Sequence, residues 1–428
     1  MSFADISKLY TDLFHSSLVP LVEHYIVFLS PVFAAIFLGI VFFETWMRYI
    51  RLRTFLGRKY ALLELKLPKD TWKSPLAMET VLHAIHNTSD GTWFSMYWKG
   101  DTRPWYSLEI ISVEGQVKFL IWTEDIRKRN LMSALYSQYP GIEIKEIEDY
   151  AKDIQYDKKV WKIWATEFEL TMKENKNAYP IKTYVDYGLD KDPKEEFKID
   201  PLTHLLEWLG SLRPNEQAWF QFIVRAHKKE QVKPGHFWKA TDEWKDEAEA
   251  AIKKIMIRDP KTKISGKLNP ETGFGNFVTL TKGEQEIVSS IERKLTKLAF
   301  DVCIRTLYIA KRDTFDTPFG IGGVISSLKQ FNTEHMNGFK PSGKWINKIA
   351  DYPWQDYLET RRTYLSNSVL KAYRRRSAFY PPYANSKVIV LNTEELATIF
   401  HLPGSVAATP SLERVPSKKG EAPSNIPV

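Results

Sequence analysis

Nineteen consecutive residues, Tyr25–Phe43 (YIVFLSPVFAAIFLGIVFF), carry no charge, in a chain that is otherwise 26% charged. As a helix rising about 1.5 Å per residue, the run would reach roughly 28 Å, close to the hydrocarbon thickness of a bilayer. A cleaved signal peptide would have a basic start, a shorter apolar run and a small-residue cleavage site. Here Asp5, Lys8, Asp12 and Glu23 precede the run, and Glu44, Thr45, Trp46, Met47 and Arg48 follow it. A buried core helix would be shorter or amphipathic. The pattern therefore predicts one transmembrane helix over 25–47. Pro31 falls in its first turns, where neighbouring groups can satisfy the freed carbonyl. Arg48, Arg51, Arg53, Arg58 and Lys59 flank one end, against Lys8 and three acids at the other. That bias predicts a single pass through the cell membrane with the N-terminus outside and the remaining domains cytoplasmic. Tyr25, Trp46 and Tyr49 sit where an interfacial aromatic belt is expected.

Phe3, Ile6, Tyr10 and Leu13, spaced by three and four, suggest a short amphipathic segment over 1–24. Beyond the span, 43% apolar content over the chain is enough to build buried cores. The single Cys303 excludes a disulfide within the chain and thiolate metal clusters, and suits a reducing cytoplasm. A net charge of +8, from 60 basic and 52 acidic residues, describes a mixed surface rather than a polycation.

From Tyr60 the pattern becomes that of an α+β protein. Leu63, Leu65 and Leu67 alternate with Glu64 and Lys66, and a helix opened by Ser74-Pro75 follows, with Met78, Val81, Leu82 and Ile85 on one face. WYSLEIISVEGQVKFLIWTE reads as two strands joined at Glu114-Gly115. DIRKRNLMSALYSQYPG reads as a helix capped by Asp125, and IEIKEIEDY as a further strand. The order β-α-β-β-α-β predicts a ferredoxin-like sandwich over 59–152. A second α+β domain is expected over 159–312, with IWATEFELTM and IKTYVDYGL as strands, a helix after Asp200-Pro201, the strand AWFQFIVRAHK, a helical insertion at 235–300, and the strand CIRTLYIAKR. It partly echoes the first. Residues 313–390 read as a helix at Phe319–Phe331 followed by an irregular basic and aromatic region. Residues 391–428 read as a strand, a short helix and an extended Pro/Ser/Lys tail.

Motifs argue against catalysis. No phosphate loop occurs; Gly320, Gly322 and Gly323 lack the third glycine of a dinucleotide fingerprint, and Gly343-Lys344 is followed by Trp345. His83 and His86, with Asp90 a turn on, have a spacing that could ligate a metal, but no second cluster completes a site. No nucleophile elbow is present and Cys303 has no evident histidine partner. No catalytic residue, metal site or cofactor is predicted. The candidate functional surface is Arg361, Arg362, Lys371, Arg374, Arg375 and Arg376, interleaved with Tyr357, Tyr364, Tyr373 and Phe379. Cations alternating with aromatics can pair phosphates and stack on bases, or meet anionic headgroups. The same stripe can equally be a solvated helix face with its tyrosines packed inward.

The segments LLELKLPKD, SPLAMETVLHAIH, WYSLEIISVEGQVKFLIWT, LMSALYSQYPGIEI and VLNTEELATIFHLPGSVAATPSLERVPSKKGEAP resemble the membrane-anchored N-terminal half of type IV secretion or conjugation coupling-protein-like ATPases of candidate-phylum bacteria, over roughly Tyr60 to Pro423. The resemblance implies a role rather than a site. In such ATPases the part matching Leu391 to Pro423 leads into a RecA-like motor, which this sequence does not contain. The expectation is a non-enzymatic membrane-anchored adaptor or scaffold of a translocation system. It would dock a separate RecA-like ATPase or another secretion subunit, act as a homo-oligomer or complex member, and have nucleic-acid binding through 361–376 as the alternative role.

Overall fold

The computed structural model describes Asp5 and residues 18–68, 73–190, 200–228, 231–232, 240–241, 243–256, 280–348, 353–383 and 386–404. The amphipathic segment with Phe3, Ile6, Tyr10 and Leu13, residues 257–279 of the helical insertion, and the tail beyond Gly404 lie outside these residues. The chain forms two compact units. One holds the described residues up to Gly57 together with Gly91–Thr102; the other holds Arg58–Asp90 and the described residues from Arg103 on.

The first unit is built on helix α1, Leu18–Gly57, which is 40 residues long with Pro31 inside it. Its apolar window is uncovered by the rest of the chain, and the helix is long and apolar enough to cross a membrane. It continues past the expected end at 47, because no glycine or proline interrupts the sequence between Gly39 and Gly57. Glu44 and Arg48 pair one turn apart, and Thr45 donates to the Val41 carbonyl.

The second unit is organised by one antiparallel sheet of nine strands. In chain order its elements are β1 (Tyr60–Lys66), α2 (Leu76–Ile85), β2 (Trp105–Val113), β3 (Gln116–Glu124), α3 (Asp125–Gln138) and β4 (Glu143–Ile147). Then come β5 (Trp161–Leu170), α4 (Thr203–Gly210), β6 (Glu216–Ala226), a small ribbon of β7 (Gln231–Val232) and β8 (Ala240–Thr241), α5 (Glu243–Met256) and α6 (Lys282–Thr296). The last elements are β9 (Ala299–Lys311), α7 (Thr317–Lys329), β10 (Phe339–Pro341), α8 (Thr360–Arg375), β11 (Ile389–Asn392) and α9 (Thr393–Ile399). The sheet runs β4-β1-β3-β2-β6-β9-β5-β10, and β11 also pairs with β9. Outward from the β2·β6 seam, both halves show the same succession of second, third, first and fourth strand. At the centre of the seam Glu109 faces Gln221.

The two α+β domains expected over 59–152 and 159–312 thus share one sheet. The reason is hydrogen bonding: in separate units β2 and β6 would each be an edge with a row of unpaired N–H and C=O groups, and here they satisfy each other from Trp105↔Arg225 to Val113↔Gln217. Glu114 and Gly115, both at positive φ, form the two-residue turn that joins β2 to β3.

Alternation sets the core. Leu63 and Leu65 of β1, Leu108 and Ile110 of β2, Phe119 and Ile121 of β3, Phe220 and Phe222 of β6, and Val302 and Ile304 of β9 belong to one apolar cluster. Met78, Val81 and Leu82 of α2, Leu131 and Leu135 of α3, Leu205, Leu206 and Leu209 of α4, Val324 and Leu328 of α7 and Leu396 and Ile399 of α9 complete it. Two sequence expectations are corrected. Ile181–Leu189 is not a strand but a chain of turns, because its amides are used elsewhere: Ile181 N–H goes to Glu395, Tyr184 N–H to Thr398, and Thr183 N–H to Asp186. The region expected to be irregular, 332–390, contains the 16-residue helix α8.

Candidate functional site

The basic and aromatic stretch singled out by the sequence falls on α8 and the residues after it, against the second face of the sheet. That face carries a polar row in register across four strands: Glu109 on β2, Gln221 on β6, Arg305 on β9 and Glu167 on β5. All four are buried. Such a row is costly unless every group is paired, and the C-terminal end of α8 supplies the partners.

Arg376 is the centre of this arrangement. It is fully buried, sits at φ 47° where the helix ends, and its guanidinium bridges Glu109 at 2.7 Å and Asp149 at 2.8 Å. The Glu109 carboxylate also accepts from Ser107, Gln221 and Tyr150. The sheet in turn satisfies the end of the helix, where the last carbonyls lack partners within it. Arg305 donates to the Ala372 and Ser377 carbonyls, Gln221 to that of Tyr373, and Trp105 Nε1 to that of Arg376. Burial, with Glu109 next to them, pushes the Tyr150 and Tyr373 hydroxyls well above their usual range, so both stay protonated and can donate.

The six basic residues therefore do not form one surface. Arg376 is an interior ion-pair partner. Arg374 donates from Nε to the Ala151 carbonyl at 2.8 Å and from its guanidinium to Ile154. Arg361, Lys371 and Arg375 are exposed, with Arg375 over the Tyr383 ring at 4.4 Å. Arg362 is half-buried; its amide, like that of Arg361, donates to the Asp356 carboxylate, which closes the N-terminal end of α8. Tyr373 packs inward. Close to exposed Arg361 in sequence, the side chains of Trp354 (74% exposed), Tyr357 (84%), Leu358 (69%) and Tyr364 (71%) face solvent. Tyr357 and Tyr364 are in the sequence pattern, whereas Trp354 and Leu358 escape it because nothing in their local spacing tells exposure from burial.

The membrane-flanking cations have separate surroundings too. Arg48 is exposed and pairs with Glu44, Arg58 reaches Glu124 at 2.5 Å, and Arg51, Arg53 and Lys59 lie in or just after the last turns of α1. His83, His86 and Asp90 do not converge. His83 meets Thr393, His86 meets the Ala299 carbonyl, and Asp90 pairs with Arg103 and Lys228. Among the described residues no group of three or more His, Cys, Asp or Glu is placed to hold a metal ion. Gly320 and Gly323 are packing positions: a Cβ at Gly320 would stand 2.0 Å from the Tyr308 ring, and one at Gly323 would stand 1.8 Å from Trp208 Nε1.

The strand and short helix expected at the start of 391–428 are present and lie inside the protein. β11 pairs with β9, and every residue of α9 is buried. Its charges are consumed inside: Glu395 faces Lys294 at 3.1 Å, and Glu394 faces Arg293 at 3.2 Å and Lys297 at 3.0 Å. Burial lowers the Lys294 pKa and raises that of Glu395, each opposed by the other's charge.

A large antiparallel sheet with helices, joined in sequence to one uncovered apolar helix, defines a mixed α/β protein with one candidate membrane span among the described residues. The chain belongs to the DUF8128 family, a domain of unknown function whose model matches residues 51–414. That match begins after the uncharged run. No curated protein matches the chain.

Proposed function

We propose that the protein is a non-enzymatic, membrane-anchored adaptor, with α1 as its span, the sheet unit on the cytoplasmic side, and the exposed patch Trp354, Tyr357, Leu358, Arg361 and Tyr364 as its docking surface. The exposure of these side chains, all within eleven residues of one another, is the observation that carries the reading. Large aromatic side chains held in solvent beside a cation are the residue types enriched at protein interfaces. The resemblance to coupling-protein-like ATPases gives the partner class, a RecA-like translocation ATPase or its substrate in a type IV secretion or conjugation-like system. The strand order β4-β1-β3-β2, repeated as β10-β5-β9-β6, supports reading the sheet as two ferredoxin-like βαββαβ units fused at their second strands, the second unit carrying the helical insertion. The cations after the uncharged run support the orientation.

The test is purification of the tagged full-length protein from detergent-solubilised membranes, with co-purifying proteins identified by mass spectrometry. A RecA-like ATPase should accompany the native chain and be lost from Tyr357→Ala/Leu358→Ser/Tyr364→Ala. If neither form brings down an ATPase, the secretion reading loses its support.

Nucleic-acid binding is the second reading, now confined to Arg361, Lys371 and Arg375, which are exposed on one helix with Tyr364. It requires a salt-dependent affinity for DNA that falls in Arg361→Ala/Lys371→Ala/Arg375→Ala. Absence of binding near physiological salt ends it.

A further inference from the structure

Gly91–Thr102 belongs with α1 in the first unit, although the residues before and after it in sequence belong to the second. Its core is a single wide helical turn, Ser95–Lys99, started by Thr92: Met96 N–H donates to the Thr92 carbonyl and Ser95 N–H to Thr92 Oγ1. Three contacts hold the turn to α1. Trp46 Nε1 donates to the Tyr97 carbonyl at 2.9 Å, and Thr54 Oγ1 donates to that of Lys99. Gly100, at φ 73°, lies so close to the helix that a Cβ would stand 2.8 Å from the Ile50 backbone. A side chain at position 100 would lift the segment off α1, so glycine is required there.

The turn displays the opposite of what a soluble loop displays. Trp93 is 75% exposed, Phe94 61% and Trp98 64%. The turn joins the flank of α1 through Phe43–Tyr97 at 5.8 Å and Trp46–Trp98 at 5.8 Å, Trp93 lies 4.9 Å from Tyr97, and a shallow apolar groove runs between Phe43, Trp93, Phe94, Tyr97 and Trp98. Along α1 this is the level at which the uncharged run ends at Phe43 and Glu44 to Arg48 begin. Lys99 lies 5.9 Å from the Phe94 ring centre, at the polar margin of the patch.

We propose that Trp93, Phe94 and Trp98 insert into the headgroup–acyl boundary of the leaflet where α1 leaves the membrane, so that this turn is a second lipid contact fixing the depth of the span. The proposal rests on reading α1 as a span. Its occupant is phospholipid, because the patch is continuous with the uncovered apolar girth of α1. Tryptophan is also the side chain that favours this boundary, with an apolar body and one polar N–H. Lys99, Arg48, Arg51 and Arg53 supply cations at the level of the phosphates.

The full-length protein is reconstituted into phosphatidylcholine/phosphatidylglycerol vesicles with a nitroxide on Phe37→Cys, Phe94→Cys, Trp98→Cys or Ile126→Cys. Native Cys303 is buried and stays unlabelled in the folded chain. Collision rates with oxygen, which partitions into lipid, and with a water-soluble nickel chelate place each label. Phe37 should be deep in lipid and Ile126 in water. Phe94 and Trp98 should lie at the boundary, with an oxygen-to-nickel ratio several-fold above that at Ile126. Labels at 94 and 98 as wet as Ile126, with Phe37 still in lipid, overturn the proposal and leave the span intact. Labels shielded from both reagents mean that protein covers the patch, which overturns it as well. If Phe37 itself is in water, the span reading fails and this proposal fails with it.

Discussion

Arg375 and Arg376 are adjacent in sequence and differ completely in surroundings, so substitution should separate them. Arg376→Ala leaves Glu109 and Asp149 without their guanidinium and should cost about 3–5 kcal/mol, as breaking a buried pair does. Arg376→Lys should rescue little, since one ammonium cannot serve two carboxylates in forked geometry. Arg375→Ala should leave the thermal melt of the detergent-solubilised chain unchanged, and equal melts for the two alanine variants would contradict the interior placement of Arg376. Cys303 offers a second check at this scale. Burial, only partly offset by Arg305, pushes its thiol up to about 11, so a thiol reagent at pH 8 should label the protein only after denaturation. Prompt labelling of the native chain would show that β9 is not central. Asp301 gives the pH dependence. Burial would raise its pKa, but His227 and Arg225 outweigh it and hold the carboxyl below the ordinary 3.8. A depressed folded pKa means that the unfolded chain binds the proton more readily. The pairing therefore contributes its full stability above about pH 4 and loses it as the pH falls through the depressed value. Denaturant titrations should show a shallower acid limb for Asp301→Asn than for the native chain; identical limbs would remove Asp301 from the account.

At the scale of elements, α7 is informative because its three glycines do different things. Gly323 meets Trp208 and Gly320 meets Tyr308, while a Cβ at Gly322 would have nothing within 4 Å. Gly323→Ala should therefore overpack α7 against Trp208 of α4 and cost about 1–3 kcal/mol. Gly322→Ala should stabilise, by up to about 1 kcal/mol, through helix propensity. Urea unfolding of the two variants measures the difference, and a loss at Gly322 equal to that at Gly323 would mean that close packing is not the cause. Helix α8 shows why propensity alone does not reveal such an element. Its buried positions, Ser366, Val369, Leu370 and Tyr373, have helical spacing, but serine and tyrosine blur the apolar signal and the arginines hide it.

For the whole molecule, the continuous sheet and the buried α9 make the C-terminal boundary decisive. A chain ending after Gly404 keeps β11 and α9, whereas one ending before Leu391 removes half of β11 and all of α9, leaving buried Lys294 without Glu395 and taking Glu394 from Arg293 and Lys297, which keep only Asp186 and Glu79. The first should melt cooperatively near the native temperature by circular dichroism, and the second should not fold. A cooperative melt of the shorter chain would mean that α9 is an accessory. On its own, the sequence determined the elements whose causes are local: the uncharged run long enough for a bilayer, the alternation of β1 to β4, the Glu114-Gly115 turn, and the helices α2 to α4. It also named the stretch that contains the exposed patch. Only the tertiary structure decided that β2 and β6 join the two halves, that Arg374 and Arg376 serve carbonyls and carboxylates inside the protein, and that the short helix read at TEEL is buried on every side. Those outcomes depend on partners tens to hundreds of residues away. A buried ion pair and a solvated charge are spelled with the same letters, and only the position of the opposite charge tells them apart.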